Sequence, residues 1–102
     1  SLVGSEMCIR DRIKDWYSGT WQLFNECDII WQENGELRNR RPDRVMMRDG
    51  AIVVVDFKFG KPNKKYNKQV QGYMELLVRM GYDANAISGY LWYVEEEIIE
   101  KV

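Results

Sequence analysis

The sequence contains no histidine, and this absence removes several kinds of functional site from consideration. A zinc site would need unusual ligands, because histidine and cysteine are the side chains that most often bind zinc. Histidine-based acid–base or nucleophilic catalysis is excluded within this chain. Carboxylates and lysines remain as the side chains that could carry chemistry.

Cysteines and long apolar runs are also scarce. Of the two cysteines, Cys8 belongs to an adapter-like N-terminal segment, which leaves Cys27 with no internal partner for a disulfide or a cysteine-ligated cluster. No apolar run approaches the ~20 residues that a membrane-spanning helix needs. We therefore expect a cytoplasmic location and no membrane partner.

The adapter-like segment is residues 1–12, SLVGSEMCIRDR. Back-translation of residues 6–11 can give GAG ATG TGT ATA AGA GAC, which is similar to the transposase recognition end used to prepare sequencing libraries. The sequence thus predicts a non-native segment over 1–12 and, over 13–102, the C-terminal part of a longer protein's domain. An ordinary disordered or helical N-terminus is the alternative.

The net charge of −1 hides an uneven distribution of charge along the chain. Residues 38–68 hold ten Lys or Arg against three Asp, a net charge of +7, while the remainder carries −8. Phosphate backbones attract such basic blocks, so nucleic acid is a candidate partner. A solvated basic face is an equal alternative.

The basic block contains residues 41–58, RPDRVMMRDGAIVVVDFK, which predict a β-hairpin. Its Asp49-Gly50 pair favours a type I′ turn, and the register that follows places Asp43 opposite Asp56. Carboxylates at that separation repel each other unless a cation neutralises them. Lys58 shares their face, because side chains two residues apart on a strand point the same way. Two acids and one amine are thus predicted to converge.

The second strand of this hairpin is predicted to be central in a sheet, because residues 52–55 are apolar on both strand faces. Asp56 ends the apolar run. A buried carboxylate is costly unless it is paired, hydrogen-bonded or bound to metal. The alternative for Asp56 is a strand-end aspartate that accepts backbone hydrogen bonds.

Upstream of the hairpin, the sequence predicts a strand from near Trp21 to Gln32, followed by a turn over 33–36. Glu26 lies within this strand. If the strand packs beside the hairpin, Glu26 could point toward the aspartates and help to hold a metal ion. An exposed strand glutamate is an equal alternative.

Downstream, residues 65–81 predict an amphipathic helix that ends at Gly81 and carries Gln69 and Tyr73 on one face. Surface and core roles are the alternatives for these two residues. Residues 87–94 predict a strand, and 97–102 predict an edge strand. The expected fold class is α/β, with an antiparallel β-meander leading into a right-handed βαβ crossover in a mixed sheet.

Together these residues resemble a known signature. Pro42-Asp43 followed by Asp56-Phe57-Lys58 resembles the PD-(D/E)xK nuclease motif, and Gln69 with Tyr73 resembles the QxxxY motif of its RecB-like branch. The resemblance runs from Trp21 to Val102. This stretch is similar to the C-terminal nuclease domain of bacterial helicase–nucleases of the RecB and AddA type. It implies a restriction-endonuclease-like core and metal-dependent DNA hydrolysis, of exonuclease type, in recombination and repair.

The resemblance also implies roles for single residues. Asp43, Asp56 and the backbone carbonyl of Phe57 would bind Mg²⁺ or Mn²⁺, with Glu26 in the outer shell. Lys58 would position or deprotonate the attacking water. Gln69 and Tyr73, which complete the catalytic set, would orient Lys58 and contact the substrate phosphate.

The implied partners are DNA, the upstream helicase and nuclease-helix segments of a parent chain, and a second helicase–nuclease subunit. Activity is expected of that parent, because the family's upstream helix supplies a further metal ligand, often histidine. The main alternative is a catalytically inactive nuclease-fold module for DNA binding or complex assembly. A structural β-rich domain with merely exposed aspartates is the second alternative. Intact Asp43, Asp56 and Lys58 favour the nuclease.

Overall fold

The computed structural model of the chain describes residues 8–24 and 29–102. They form a small mixed α/β domain with a five-stranded mixed sheet, two α-helices and a separate two-stranded sheet. The elements are α1 (Ile9–Trp16), β1 (Gln22–Leu23), β2 (Ile29–Glu33), β3 (Glu36–Arg40), β4 (Arg44–Arg48), β5 (Ala51–Lys58), α2 (Lys64–Arg79), a 3₁₀ turn (Ala84–Ala86), β6 (Ile87–Tyr93) and β7 (Ile98–Lys101).

The β4–β5 hairpin has the predicted register. Arg48 pairs with Ala51 and Val45 with Val54 in an antiparallel ladder. Asp49 and Gly50 both have positive φ, 50° and 84°, which is the backbone that a type I′ turn requires. The turn chemistry therefore fixed which residues face each other across the two strands.

Strand β5 is central, as its apolar faces predict. The sheet order is β1-β4-β5-β6-β7, with β5 antiparallel to β4 and parallel to β6. One face of β5 packs Ile52 and Val54 against α2, and the other packs Val53 and Val55 in a cluster with Trp16 of α1. Burial on both faces explains why this strand lacks polar alternation.

Helix α2 is the crossover between the parallel strands β5 and β6. It begins after Asn63, whose side chain accepts a hydrogen bond from the Lys65 N–H at 3.0 Å. It ends in a Schellman motif, in which Gly81 (φ 107°) donates to the Val78 carbonyl and Tyr82 to that of Leu77. The predicted helix is therefore present, and β6 and the edge strand β7 follow it close to their predicted bounds.

The predicted strand over 21–32 is wrong as a single element. Its start, β1, pairs with β4 beside the hairpin, whereas its end, β2, pairs with β3 in the separate sheet. The physical reason is the turn at Asn34-Gly35, where both φ angles are positive. That turn closes a local hairpin, so the ladder hydrogen bonds of β2 are made with β3.

Helix α1 begins inside the adapter-like segment, so the alternative of a helical N-terminus holds from Ile9 onward. Two arginines of β4 hold its C-terminal end. Arg44 Nη2 donates to the Trp16 carbonyl at 2.8 Å, and Arg48 donates to both carboxylate oxygens of Asp15, at 2.9 and 3.3 Å. Near the helix start, Arg12 donates to the Tyr90 hydroxyl at 3.0 Å. The origin of residues 1–12 stays a prediction.

Within residues 8–24 and 29–102, no helix combines the length and the apolar character that crossing a bilayer requires.

Candidate active site

The two hairpin aspartates lie together at the open end of β4 and β5. Asp43 precedes the first ladder pair, and its backbone N–H donates to Asp56 Oδ1 at 3.1 Å. In return, the Phe57 N–H donates to Asp43 Oδ2 at 2.9 Å. Each carboxylate thus accepts a backbone hydrogen bond from the other side of the hairpin, and these two bonds hold the pair together.

Asp56 is the buried member of the pair, with 3 % of its surface exposed, whereas Asp43 is exposed. Burial raises the pKa of Asp56 above its ordinary value of 3.8, and the nearby charge of Asp43 raises this pKa further. The Asp43 N–H and the Lys58 ammonium act in the opposite direction. The net upward shift means that the protein alone does not fully compensate the negative charge here.

Lys58 brings an ammonium group to this carboxylate. Its Nζ lies 4.0 Å from Asp56 Oδ2 and donates to Gln69 Oε1 of α2 at 2.9 Å. The same Nζ lies 4.5 Å from the centroid of the Tyr66 ring. The lysine is therefore held by groups from both β5 and α2.

The fold positions these groups through register. Asp56 and Lys58 share the face of β5 that α2 covers, because Ile52 and Val54 on the same face pack in a cluster with Tyr73. The parallel ladder places Tyr93 of β6 beside Lys58. The Tyr93 hydroxyl accepts a hydrogen bond from the N–H of Asn63, the α2 cap, at 3.4 Å. The start of α2 is thereby fixed next to the end of β5.

A groove of about 560 Å³ runs along α2 next to Lys58. Three of the predicted catalytic residues, Lys58, Gln69 and Tyr73, line it. Tyr73 also belongs to the core, with 4 % of its surface exposed. It therefore lines the groove, as the catalytic prediction requires, and it is also the core residue that the alternative describes. The remaining lining residues are Lys65, Tyr66, Lys68, Gly72 and Leu76.

For two of the predicted metal ligands, Glu26 and the Phe57 carbonyl, the structure does not show a position beside the aspartate pair. Glu26 lies outside the described residues. Phe57 is described through its N–H, which donates to Asp43, and its ring, which packs edge-on against Trp92 at 5.5 Å. The role of its carbonyl stays a prediction.

The donor set of the aspartate pair fits a hard divalent cation. Among the described residues no group of three or more acidic or cysteine side chains converges. Mg²⁺, however, is commonly bound through one or two carboxylates, with water and substrate phosphates completing its shell. The raised pKa of Asp56 fits the same cation, because a nearby positive charge would favour the ionised carboxylate.

Five residues of the basic block are divided between the two faces of the five-stranded sheet. Arg44 and Arg48 bind α1, and their guanidinium groups also lie 4.0 Å from the ring centroids of Tyr17 and Trp21. Lys58, Lys65 and Lys68 line the groove on the α2 side. These three lysines are members of the basic block that line the groove beside the aspartate pair.

Sequence reasoning did not single out Tyr66, Lys65 or Lys68 as site residues. Tyr66 lies in the predicted helix over 65–81. Its position three residues before Gln69 was the available signal, because residues three apart in a helix share a face.

No protein-family model, no curated protein and no solved structure matches this chain.

Proposed function

We propose that this chain is the catalytic part of a metal-dependent DNA nuclease of the PD-(D/E)xK type, with a restriction-endonuclease-like core. Its parent would be a DNA-end-processing helicase–nuclease of recombination and repair. The observation that carries the proposal is the arrangement at the open end of the hairpin. There, the Asp43 N–H donates to the Asp56 carboxylate and the Phe57 N–H donates to the Asp43 carboxylate. The Lys58 ammonium lies 4.0 Å from Asp56 Oδ2.

The chemistry would be hydrolysis of a phosphodiester bond. A water oxygen forms a bond to phosphorus, the bond from phosphorus to the leaving sugar oxygen breaks, and the water proton ends on that leaving oxygen. Bound Mg²⁺ would supply polarisation of the phosphate and a more acidic water. Asp43 and Asp56 would hold the cation through their carboxylate oxygens.

Lys58 would place positive charge where negative charge develops on the phosphate in the transition state. A fixed cation in a partly desolvated site is worth more than the same charge in water. Gln69 accepts the hydrogen bond that keeps the ammonium beside Asp56. Lys65 and Lys68, which line the groove, would attract the DNA backbone.

The first prediction tests this site with Asp43→Asn, Asp56→Asn and Lys58→Met. Each variant should lower Mg²⁺-dependent cleavage of labelled DNA by at least about a hundredfold, the scale of losing one transition-state-stabilising group. Titration calorimetry with Mn²⁺ should show weaker binding for both aspartate variants. Binding to Lys58→Met should be equal or tighter, because a positive charge beside the cation has been removed.

Two matched controls use the same chemical changes elsewhere. Asp49→Asn alters an aspartate at the closed end of the same hairpin, and Lys101→Met alters an exposed lysine of β7. Both control variants should cleave DNA and bind Mn²⁺ as the unsubstituted protein does. Unchanged Mn²⁺ affinity in Asp56→Asn, or unchanged cleavage by Lys58→Met, would refute the proposed site. DNA binding without metal binding would instead favour the inactive nuclease-fold module.

A further inference from the structure

Tyr66 contacts the Lys58 ammonium but lies outside both sequence motifs. Its ring centroid is 4.5 Å from Lys58 Nζ, within the range of a cation–π interaction. Gln69, three residues later on the same helix face, accepts a hydrogen bond from that Nζ at 2.9 Å. Two side chains of α2 therefore hold one ammonium group.

The Tyr66 ring is itself fixed by the core. It is half-buried, and its centroid lies 6.4 Å from that of Tyr93, whose side chain is fully buried. Tyr93 pairs with Lys58 in the parallel ladder between β5 and β6. The ring that faces the ammonium is thus supported by the strand that neighbours Lys58.

A lysine side chain is flexible, so holding its ammonium at one point needs contacts from more than one direction. Asp56 attracts Lys58 by charge, but at 4.0 Å this contact alone leaves the ammonium able to turn toward solvent. The negative face of an aromatic ring attracts a cation without neutralising it. Such a contact can restrict the ammonium and leave its charge available for a phosphate.

We propose that Tyr66 is a positioning residue for Lys58, and that its ring face and Gln69 together hold the ammonium beside the Asp43–Asp56 pair. The catalytic consequence rests on the proposed nuclease function, whereas the placement of Lys58 does not. If Tyr66 only packs, the placement of Lys58 should depend on the size of the side chain at position 66. If Tyr66 positions Lys58, that placement should depend on the negative charge of the ring face.

The first test measures the placement of Lys58 by NMR in the full chain. Ring currents of Tyr66 should move the Lys58 ε-methylene protons upfield of those of Lys61 and Lys101. The shift should persist in Tyr66→Phe and disappear in Tyr66→Leu. Tyr82→Leu removes another partly exposed tyrosine and serves as the control, with no change expected at Lys58.

The second test replaces Tyr66 by phenylalanines of increasing fluorination, which weaken the negative ring face at nearly constant size. Stepwise fluorination should lower kcat by roughly tenfold in total while KM changes little, since a cation–π contact of ordinary strength is being removed. The Lys58 resonances should move toward those of Lys61 along the same series. This series keeps the inference testable even if Tyr66→Leu fails to fold.

An unchanged Lys58 shift in folded Tyr66→Leu, or in the most fluorinated variant, would overturn the placement. A kcat that is insensitive to fluorination in an active enzyme would overturn the positioning role. If the parent chain cleaves no DNA, the nuclease proposal fails, and the NMR comparison alone decides whether Tyr66 holds Lys58.

Discussion

Asp56 is subject to two opposing requirements. Its 3 % exposure makes the ionised form costly, whereas holding a cation requires that form. The raised pKa has a definite consequence for stability without metal. Because the folded pKa lies above the ordinary 3.8, the folded protein binds the proton more tightly than the unfolded chain does. The contribution of Asp56 to stability is then fully present below that ordinary value and is lost as pH rises through the folded pKa.

The second prediction follows from this proton linkage. In the presence of a chelator, Asp56→Asn should remove the part of the fall in unfolding free energy that Asp56 causes as pH rises above its ordinary pKa of 3.8. At neutral pH the Asp56→Asn variant should be more stable than the unsubstituted protein by on the order of 1 kcal/mol. Denaturant unfolding at several pH values measures both. A variant less stable than the parent at neutral pH would mean that the carboxylate is structurally required.

At the scale of elements, Asp15 links α1 to β4. Hydrogen bonds from Arg48 lower the pKa of this carboxylate below 3.8, partial burial acts in the opposite direction, and Trp21 Nε1 donates to it at 3.3 Å. The stabilisation is therefore present above the ordinary pKa and is lost as pH falls through the lower folded pKa. Arg48 also donates to Thr20 at 2.9 Å. One arginine thus ties the end of α1 and the loop after it to the sheet.

The third prediction concerns this link. Asp15→Asn should lower the unfolding free energy by about 1 kcal/mol at neutral pH, the scale of a partly exposed charge-assisted pair. The difference should shrink as pH falls through the lowered folded pKa of Asp15, because the folded and the unfolded unsubstituted protein then both bind the proton. Asp11→Asn changes an exposed aspartate of the same helix and should have little effect. Equal losses in the two variants would assign the effect to helix charge instead.

The packing of α2 on β6 leads to the fourth prediction, which compares two glycines. A Cβ at Gly89 would lie 2.5 Å from Met74 Sδ and 2.6 Å from Val70 Cγ1, whereas a Cβ at Gly72 would meet nothing within 4 Å. Gly89→Ala should therefore destabilise the domain by about 1–3 kcal/mol through overpacking.

Gly72→Ala should stabilise the domain by about 0.5–1 kcal/mol, because alanine restricts the unfolded chain and favours the helix. Thermal and denaturant unfolding of both variants measure the contrast. A neutral Gly89→Ala would show that Met74 and Val70 can move aside, and that the two elements approach less closely than described.

At the scale of the whole molecule, the question is how much of the N-terminal segment belongs to the folded domain. Helix α1 begins at Ile9, within the adapter-like residues 1–12. Arg12 donates to the Tyr90 hydroxyl, and its guanidinium lies 4.7 Å from that ring's centroid. Trp16, at the helix end, is 2 % exposed and packs with Tyr90 at 5.3 Å.

The fifth prediction is a graded truncation. Removing residues 1–8 should change the unfolding free energy by less than about 0.5 kcal/mol, because the side-chain contacts described for α1 are made by residues within 9–16. Removing residues 1–12 should cost about 1 kcal/mol, because the Arg12 contacts and half of α1 are lost. Arg12→Ala in the full chain separates the contact from the helix. No loss with either truncation would fit a segment that adds nothing to the fold.

Local sequence signals predicted the parts of the fold that depend on neighbours in the chain. The Asp49-Gly50 turn set the β4–β5 register, and that register placed Asp43 beside Asp56. The apolar run over 52–55 indicated the central strand, and helical spacing with Gly81 indicated α2. Turn chemistry and hydrophobic periodicity act over a few residues, so a single sequence is sufficient to detect them.

Only the tertiary structure decided what depends on residues far apart in sequence. Arg44 and Arg48 reach α1 across 28 and 33 positions, and this separates them from the lysines of the α2 groove. The Tyr66 ring faces Lys58 while packing against Tyr93, a residue 27 positions away that pairs with Lys58 in the β5–β6 ladder. No local pattern encodes these contacts, since they exist only after the sheet has formed and both of its faces are covered.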